Sequence, residues 1–139
     1  MPQDTRLARL LHVLIHMHLH GGSTTSETIS LMLRTNAVVV RRTMAGLREA
    51  GYVISTGGRR GGWTLAANFD QLTVADVHRA VAHQVFAFGP ASDNPQCPVE
   101  AATNRFLDAS LTIAEQALVR QFATRKLVDF AGEVLGGEG

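Results

Sequence analysis

Three groups of residues in this chain have types and spacings suited to chemistry, and arginine dominates the first group. Residues 57–62 read GGRRGG and lie between two short strand-like runs, residues 52–55 and 63–66. A β-hairpin needs glycine where its turn takes a positive φ, but it does not need Arg59 and Arg60 at its tip. No carboxylate lies within nine residues of this pair. The spacing therefore predicts a cationic projection that suits the backbone or minor groove of DNA.

The second group is a stripe of histidines in the first predicted helix. His12, His16 and His20 are four residues apart, so they share a helix face and could hold Zn²⁺ or Ni²⁺. A solvated or dimer-facing stripe explains the same spacing without a metal, and we favour that interpretation. His18 falls on the apolar side of the helix and is predicted to be a hydrogen-bonded core residue.

The third group is a single residue, Cys97, in the Pro-rich segment 94–98. A position just before a helix would favour the thiolate through the helix dipole, which makes Cys97 a candidate redox-sensing thiol. The alternative is a small packing residue in a tight turn, and this is the interpretation that we favour for a lone cysteine. One cysteine excludes an intrachain disulfide framework and suits a reducing cytoplasm.

The net charge of +1 conceals a strong division of charge along the chain. Residues 34–60 hold six arginines against one acid, whereas residues 93–139 hold four basic and seven acidic side chains. The six arginines are Arg34, Arg41, Arg42, Arg48, Arg59 and Arg60. An excess of this kind, concentrated in one segment, indicates a surface that binds anions.

Apolar spacing predicts the helices that position these groups. A first helix is predicted over residues 5–20 and ends at a pair of glycines. Thr24 and Glu27 form a T-x-x-E capping box that is predicted to start a second helix, which runs to about residue 33. Asn36 is the predicted N-cap of a third helix, which runs to about residue 50 and stops at Gly51.

The third helix is the candidate recognition helix, because Val40, Met44 and Leu47 occupy one side and should pack inward. Its opposite side is predicted to contact DNA through phosphates, base edges or thymine methyl groups. The predicted DNA-contacting residues, including one before the second helix and two at the hairpin tip, are Thr25, Asn36, Val38, Arg41, Arg42, Ala45, Arg59 and Arg60.

The rest of the chain is predicted to be helical, with a fourth helix capped by Thr73, a loop near residues 87–98 and a long helix to about residue 121. Thr124 is the predicted cap of a last short helix. We predict three parts: a DNA-binding domain at 1–84, a loop at 85–98 and dimerisation helices at 99–135. The long helix has an apolar stripe without a local partner, which favours a homodimer.

Composition limits the classes of protein that remain. A hydrophobic content of 45% with 18% charged residues is enough for a packed core. The longest apolar run is too short for a membrane span, and residues 1–4 do not open a signal peptide, so we expect a cytoplasmic protein. Nucleophile–base pairs, carboxylate pairs and phosphate-cradling loops are not apparent, so we predict that the chain is not an enzyme.

Three segments resemble a known family. LREAGYVIST at residues 47–56 runs into G-x-x-G-G-W-T-L-A at 58–66, LTVADVHRAV stands at 72–81, and residues 6–21 match a first helix. In these segments the chain resembles the Rrf-two type of bacterial winged-helix transcription regulators, over nearly its whole length. Arg59 and Arg60 stand where the family often has Pro and Gly.

The resemblance implies a mainly α fold with a small β-hairpin, a winged helix-turn-helix followed by a long dimerisation helix. It implies a homodimer that binds promoter DNA, usually as a repressor, in response to a redox or small-molecule signal. Action mainly through a protein partner is an alternative, as is a metal sensor built on the histidine stripe. Cluster-binding members use three cysteines, so with Cys97 alone we expect no iron–sulfur cluster and no other cofactor.

Overall fold

The computed structural model of the chain describes residues 3–56, 62–81 and 85–137. Helices predominate, and three short strands form one small sheet. In chain order the elements are α1 (Arg6–His20), β1 (Thr24–Thr25), α2 (Ser26–Leu33), α3 (Ala37–Glu49), β2 (Val53–Thr56), β3 (Gly62–Leu65), a 3₁₀ turn (Phe69–Gln71), α4 (Val74–Arg79), α5 (Pro98–Ala123) and α6 (Leu127–Gly136). The predicted fold class, mainly α with a winged helix-turn-helix and a long C-terminal helix, is confirmed.

The hydrophobic core is built around α1, which packs against α2, α3, α4 and α6. Val13, Leu14 and Met17 are almost completely buried at its centre. The predicted inward side of α3 is confirmed, because Val40, Met44 and Leu47 all lie in the same cluster. From here on we call residues 6–81, together with α6, the head.

The helix ends follow local chemistry. α3 ends in a Schellman motif, in which the Gly51 N–H donates to the Arg48 carbonyl (3.0 Å) and the Tyr52 N–H donates to the Leu47 carbonyl (2.9 Å). Gly51 takes a φ of 83°, a left-handed conformation that glycine adopts at little cost. The predicted stop at Gly51 is therefore confirmed.

The sheet has the order β1-β3-β2, one strand more than the predicted hairpin. Thr24 pairs with Trp63 in the short strand β1, so the predicted capping box of Thr24 and Glu27 is wrong. Thr25 is the N-cap of α2, where its side-chain oxygen accepts a hydrogen bond from the Thr28 N–H (3.1 Å). The two hairpin strands also begin one residue away from their predicted starts.

The fourth helix begins as predicted. Thr73 and Asp76 form a capping box, in which each side chain accepts a hydrogen bond from the other residue's N–H. The phenol of Tyr52 donates to the Asp76 carbonyl (2.9 Å) and so ties β2 to α4. Burial and, to a smaller extent, the Asp76 charge raise the pKa of Tyr52, which keeps this donor protonated.

α5 leaves the head, and α6 returns to it. α5 has no buried residue, whereas Leu127 at the start of α6 is fully buried in the head core. The Leu127 N–H donates to the Leu72 carbonyl (2.9 Å), and the Val74 N–H donates to the Arg125 carbonyl (3.0 Å).

Thr124 belongs to the end of α5, so its predicted role as the cap of α6 is wrong. Lys126 precedes α6, and its N–H donates to Asp129. The predicted boundaries at residues 84 and 98 stay a prediction.

Candidate nucleic-acid interface

The candidate interface is centred on α3, whose start is fixed by Asn36. The Asn36 side-chain oxygen accepts hydrogen bonds from the N–H groups of Val38 (3.0 Å) and Val39 (3.1 Å). These bonds satisfy two of the orphan donors at the helix N-terminus. Asn36 therefore has a capping role that occupies its carbonyl oxygen, in addition to any contact with DNA.

The outward face of α3 combines apolar and cationic side chains. Val38 is 48% exposed, and Arg41 and Arg42 are exposed beside it. Ala45 is half-buried, so it lies closer to the head than the other predicted contacts. Burial of the opposite face leaves this surface as the one that α3 can present to a partner.

The turn between α2 and α3 contributes Arg34, a member of the arginine-rich segment that is absent from the predicted DNA-contacting residues. Arg34 takes φ 52° and ψ 50°, the left-handed conformation that non-glycine residues adopt at a cost of about 1 kcal/mol or more. The Ser30 hydroxyl donates to the Thr35 carbonyl (2.6 Å), and the Thr35 N–H donates to the Ser30 carbonyl (3.1 Å). These bonds hold the turn and leave Arg34 exposed next to the start of α3. A cation at a turn position where glycine is common is the signal that could have identified it.

The described arginines of this surface are not neutralised by neighbouring acids. Within residues 3–56, 62–81 and 85–137, the ion pairs join Arg6 to Asp4, Arg79 to Asp76 and Arg125 to Glu133. The arginines of the surface take part in none of these pairs; they are Arg34, Arg41, Arg42 and Arg48. Their charge remains available to an external anion.

The base of the wing is closed by one threonine. Thr56 donates its hydroxyl to the Gly62 carbonyl (2.9 Å) and accepts from the Gly62 N–H (3.0 Å), across the ends of the hairpin. Trp63 is half-buried against the core, and its indole N–H donates to the Ser26 hydroxyl (3.1 Å). Arg59 and Arg60, the predicted contacts at the tip, lie outside the described residues.

The histidine stripe is exposed along α1. The rings of His12 and His16 lie 4.6 Å apart, and burial together with the His12 charge lowers the pKa of His16. In the described part of the chain, no group of three or more His, Cys, Asp or Glu side chains is arranged to hold a metal ion. His18 is exposed and stacks on Phe69 with ring centroids 4.7 Å apart, so its predicted burial in the core is wrong.

Cys97 is a free, half-buried thiol that directly precedes α5. Its N–H donates to the Asn94 carbonyl (3.0 Å), which closes a turn, and Pro98 occupies the first helical position. The side chain makes no capping hydrogen bond. Both interpretations of this residue, packing and redox sensing, remain consistent with its position.

Two helices joined by a tight turn, an exposed cationic second helix and a following two-stranded wing define a winged helix-turn-helix, a class of DNA-binding protein. The chain belongs to the Rrf2 family, described as iron-dependent transcriptional regulators, whose sequence profile matches residues 3–133. It is a transcription regulator and not an enzyme.

Known proteins similar to the chain agree with this assignment. A Bacillus subtilis (strain 168) protein described as an HTH-type transcriptional regulator, YwnA, is 31% identical over 127 residues, 91% of this chain and 94% of YwnA. A crystal structure described as that of a DNA-binding protein is 30% identical with a TM-score of 0.73, over 90% of this chain and 97% of the other. IscR of T. potens shares the fold, with a TM-score of 0.70 at 17% identity over 96% of this chain and 88% of IscR.

The family is described as iron-dependent, but the described residues of this chain are not suited to binding iron. The chain has one cysteine, and its described residues offer no three-ligand group for a metal. These residues do not fit an iron centre held by three protein ligands of one chain. Across the described ranges, no helix has both the length and the apolar character needed to cross a membrane.

Proposed function

We propose that two copies of this chain bind promoter DNA together, each placing α3 in a major groove. The observation that carries this proposal is the outward face of α3, where Val38, Arg41 and Arg42 are exposed and the two guanidinium groups lack an ion-pair partner among the described residues. A recognition helix reads DNA with its N-terminal half, and these residues lie in that half of α3.

Each part of the surface has a role in this proposal. Val38 is proposed to contact a thymine methyl group, and Arg41 and Arg42 are proposed to contact guanine edges or phosphates. The proposed contact face also includes Thr25 at the start of α2, Asn36 at the start of α3 and Ala45 within α3. Arg34 adds a phosphate contact beside α3.

The hairpin extends the contact to the flanking groove. Thr56 and Gly62, which flank residues 57–61 in the sequence, hold the facing ends of β2 and β3 together. Arg59 and Arg60 belong to that segment, so we propose that they neutralise phosphates or enter the minor groove.

A second copy of the chain is proposed to cover α5. Five exposed apolar residues follow a seven-residue repeat along this helix of 26 residues; they are Val99, Ala102, Phe106, Ala109 and Ile113. Spacing of this kind forms the seam of a two-helix interface, in which apolar side chains interlock with those of a partner helix. The same stripe in a second copy supplies a partner of matching length and chemistry.

The proposed setting follows from the proposed target. A protein that binds bacterial promoter DNA works in the cytoplasm, and occupation of a promoter by a dimer favours repression. The signal is proposed to be oxidation of Cys97 or a small molecule, without an iron–sulfur cluster. Regulation mainly through a protein partner is the alternative.

DNA selected from a random pool by the purified protein provides the test. Arg42→Ala and Arg41→Ala should each weaken binding to the selected duplex, and Arg105→Ala on exposed α5 is the matched control. Loss of an arginine that reads a base should weaken binding by about 1–3 kcal/mol and relax sequence specificity. Loss of an arginine that binds phosphate should lower the affinity for every DNA sequence. A protein that selects no sequence and binds random DNA without salt dependence would contradict the proposal.

The redox part has its own test. Cys97→Ser should retain DNA binding and lose any response to hydrogen peroxide, because the thiol sulfur is the oxidised atom. Fluorescence anisotropy on the selected duplex, before and after oxidation, measures both properties. An oxidant response that persists in Cys97→Ser would assign the signal elsewhere.

A further inference from the structure

A cavity of about 400 Å³ opens between α1, α3 and the end of α4, next to the proposed DNA face. Its volume falls within the range of small-molecule sites in proteins. The described residues that line it include three arginines and no carboxylate. Its cationic residues are Arg6, Arg9 and Arg42, and its main apolar residues are Leu10, Val39 and Val81.

Two of the three guanidinium groups remain available to a ligand. Arg6 is committed to Asp4, with a distance of 2.7 Å between its Nη2 and the Asp4 Oδ2. Arg9 makes one long hydrogen bond, from Nη2 to the Thr5 hydroxyl at 3.5 Å. Arg42 forms no ion pair with any described residue. The site therefore has a net positive charge that the described part of the head does not balance.

The arginines and the apolar residues that line the cavity together indicate the chemical class of its ligand. Arg9 and Arg42 offer the planar donors that carboxylates bind best. Leu10, Val39 and Val81 offer apolar surface that an inorganic anion would not use. We propose that this cavity binds a small organic acid, with its carboxylate on Arg9 and Arg42 and its carbon chain against the apolar wall.

Arg42 connects this cavity to the DNA face. At about 100° per residue, Arg42 lies about 40° from the outward Val38 and about 60° from the cavity-lining Val39 around α3. Its side chain is therefore shared by the two surfaces. A bound carboxylate would engage Arg42 and lower the affinity for DNA. This coupling rests on the proposed function, whereas ligand binding itself does not.

Calorimetry on the full chain without DNA tests the binding step. Sodium hexanoate should bind with saturable heat, hexan-1-ol should not bind because it lacks the charge, and inorganic phosphate should bind more weakly because it leaves the apolar wall exposed. Absence of hexanoate binding, or equal binding of hexan-1-ol, would overturn the proposal.

Two variants locate the site. Arg9→Gln should weaken hexanoate binding about tenfold or more through the loss of a charge-assisted hydrogen bond. Gly46→Leu should fill the cavity, because Gly46 lines it and an added Cβ there meets no atom within 4 Å. Arg105→Gln on α5 is the control and should bind hexanoate normally. Circular dichroism checks that each variant is folded. Unchanged hexanoate binding in both cavity variants would overturn the assignment.

The coupling is tested on the selected duplex with hexanoate and with sodium chloride at equal ionic strength. Hexanoate should weaken DNA binding several-fold more than chloride does, and Gly46→Leu should abolish the difference. Hexanoate binding without any effect on DNA affinity would overturn the coupling alone, and a chain that binds hexanoate but no DNA would overturn the proposed function. If hexanoate does not bind but Arg9→Gln weakens DNA binding, the arginines serve the phosphate backbone, and the cavity proposal is wrong.

Discussion

The head and α5 differ in how they bury apolar surface. The head closes a core in which Leu14, Met44 and Leu127 are fully buried. α5 extends over 26 residues without burying any of them. Phe106 is 71% exposed and Ile113 is 66% exposed on the same helix face.

This difference implies that the head determines the stability of one copy, whereas α5 determines the assembly of two copies. A packed core supplies most of the free energy that stabilises a small domain, so the head should account for folding. An exposed apolar stripe contributes little to folding of one copy but contributes strongly when a second copy covers it. α6 belongs to the first category, because it returns to α1 and contributes Leu127 to the core.

The largest effect is expected from Leu127→Ala. Removing a fully buried leucine leaves a cavity, so the free energy of unfolding should fall by about 2–5 kcal/mol. The matched control is Leu135→Ala on the same helix, where the side chain is 63% exposed and the loss should be about 0.5 kcal/mol or less. Urea denaturation at low protein concentration measures both changes. Equal losses for the two variants would show that α6 is not part of the head.

A large effect on assembly, without one on folding, is expected from Phe106→Glu. The substitution places a carboxylate in the proposed seam of each copy, so the dimer dissociation constant should rise about a hundredfold or more. Analytical ultracentrifugation measures this change, and circular dichroism should show an unchanged helix content. Leu135→Glu is the control for added charge on an exposed leucine outside the seam. A dimer that survives Phe106→Glu would place the interface elsewhere.

Local sequence patterns were sufficient where neighbouring residues decide the structure. Helical spacing identified the buried side of α3, and Asn36 and Gly51 identified its ends, because caps and Schellman motifs depend on a few adjacent residues. The T-x-x-E pattern predicts Thr24 as the cap of α2, whereas the structure has Thr25 in that role, and both residues have hydroxyl groups. The choice depends on the pairing of Thr24 with Trp63, a contact 39 residues away that local patterns do not contain.

An intermediate effect is expected from Gly62→Ala, which tests the sheet of the head. A Cβ at Gly62 would lie 3.0 Å from the Thr24 carbonyl oxygen of β1, which is too close for an unstrained contact. We expect a loss of about 1–3 kcal/mol in the free energy of unfolding. Gly46→Ala is the matched control, since its Cβ would meet no atom within 4 Å and alanine should stabilise α3 by about 0.8–1 kcal/mol. Thermal unfolding should show a lower melting temperature for Gly62→Ala and a higher one for Gly46→Ala. A lower melting temperature for Gly46→Ala would contradict the open space beside α3.

The candidate site was predicted only in part, for a related reason. Val38, Arg41 and Arg42 follow from helical spacing, and the structure shows all three exposed. The shared position of Arg42 could not be predicted, because the cavity depends on how α1, α3 and α4 pack together. Spacing along one helix specifies directions around its axis but not the shape of the space between helices.

The smallest effect is expected from the pH dependence of the head, which tests whether α1 lies outside the dimer interface. Burial and, secondarily, the His12 charge lower the folded-state pKa of His16 from its ordinary value of 6.5. The unfolded chain therefore binds a proton more readily, so stability should decrease as the pH falls from about 6.5 toward the lower folded pKa, and it should be fully present above 6.5. His16→Gln should remove this part of the slope, and His12→Gln should reduce it less because it removes only the secondary cause. Urea denaturation across about pH 5–8 measures the slope. If the slope of stability against pH changes with protein concentration, the histidine stripe lies at the contact between copies. The head would then take part in assembly, and this function would not be confined to α5.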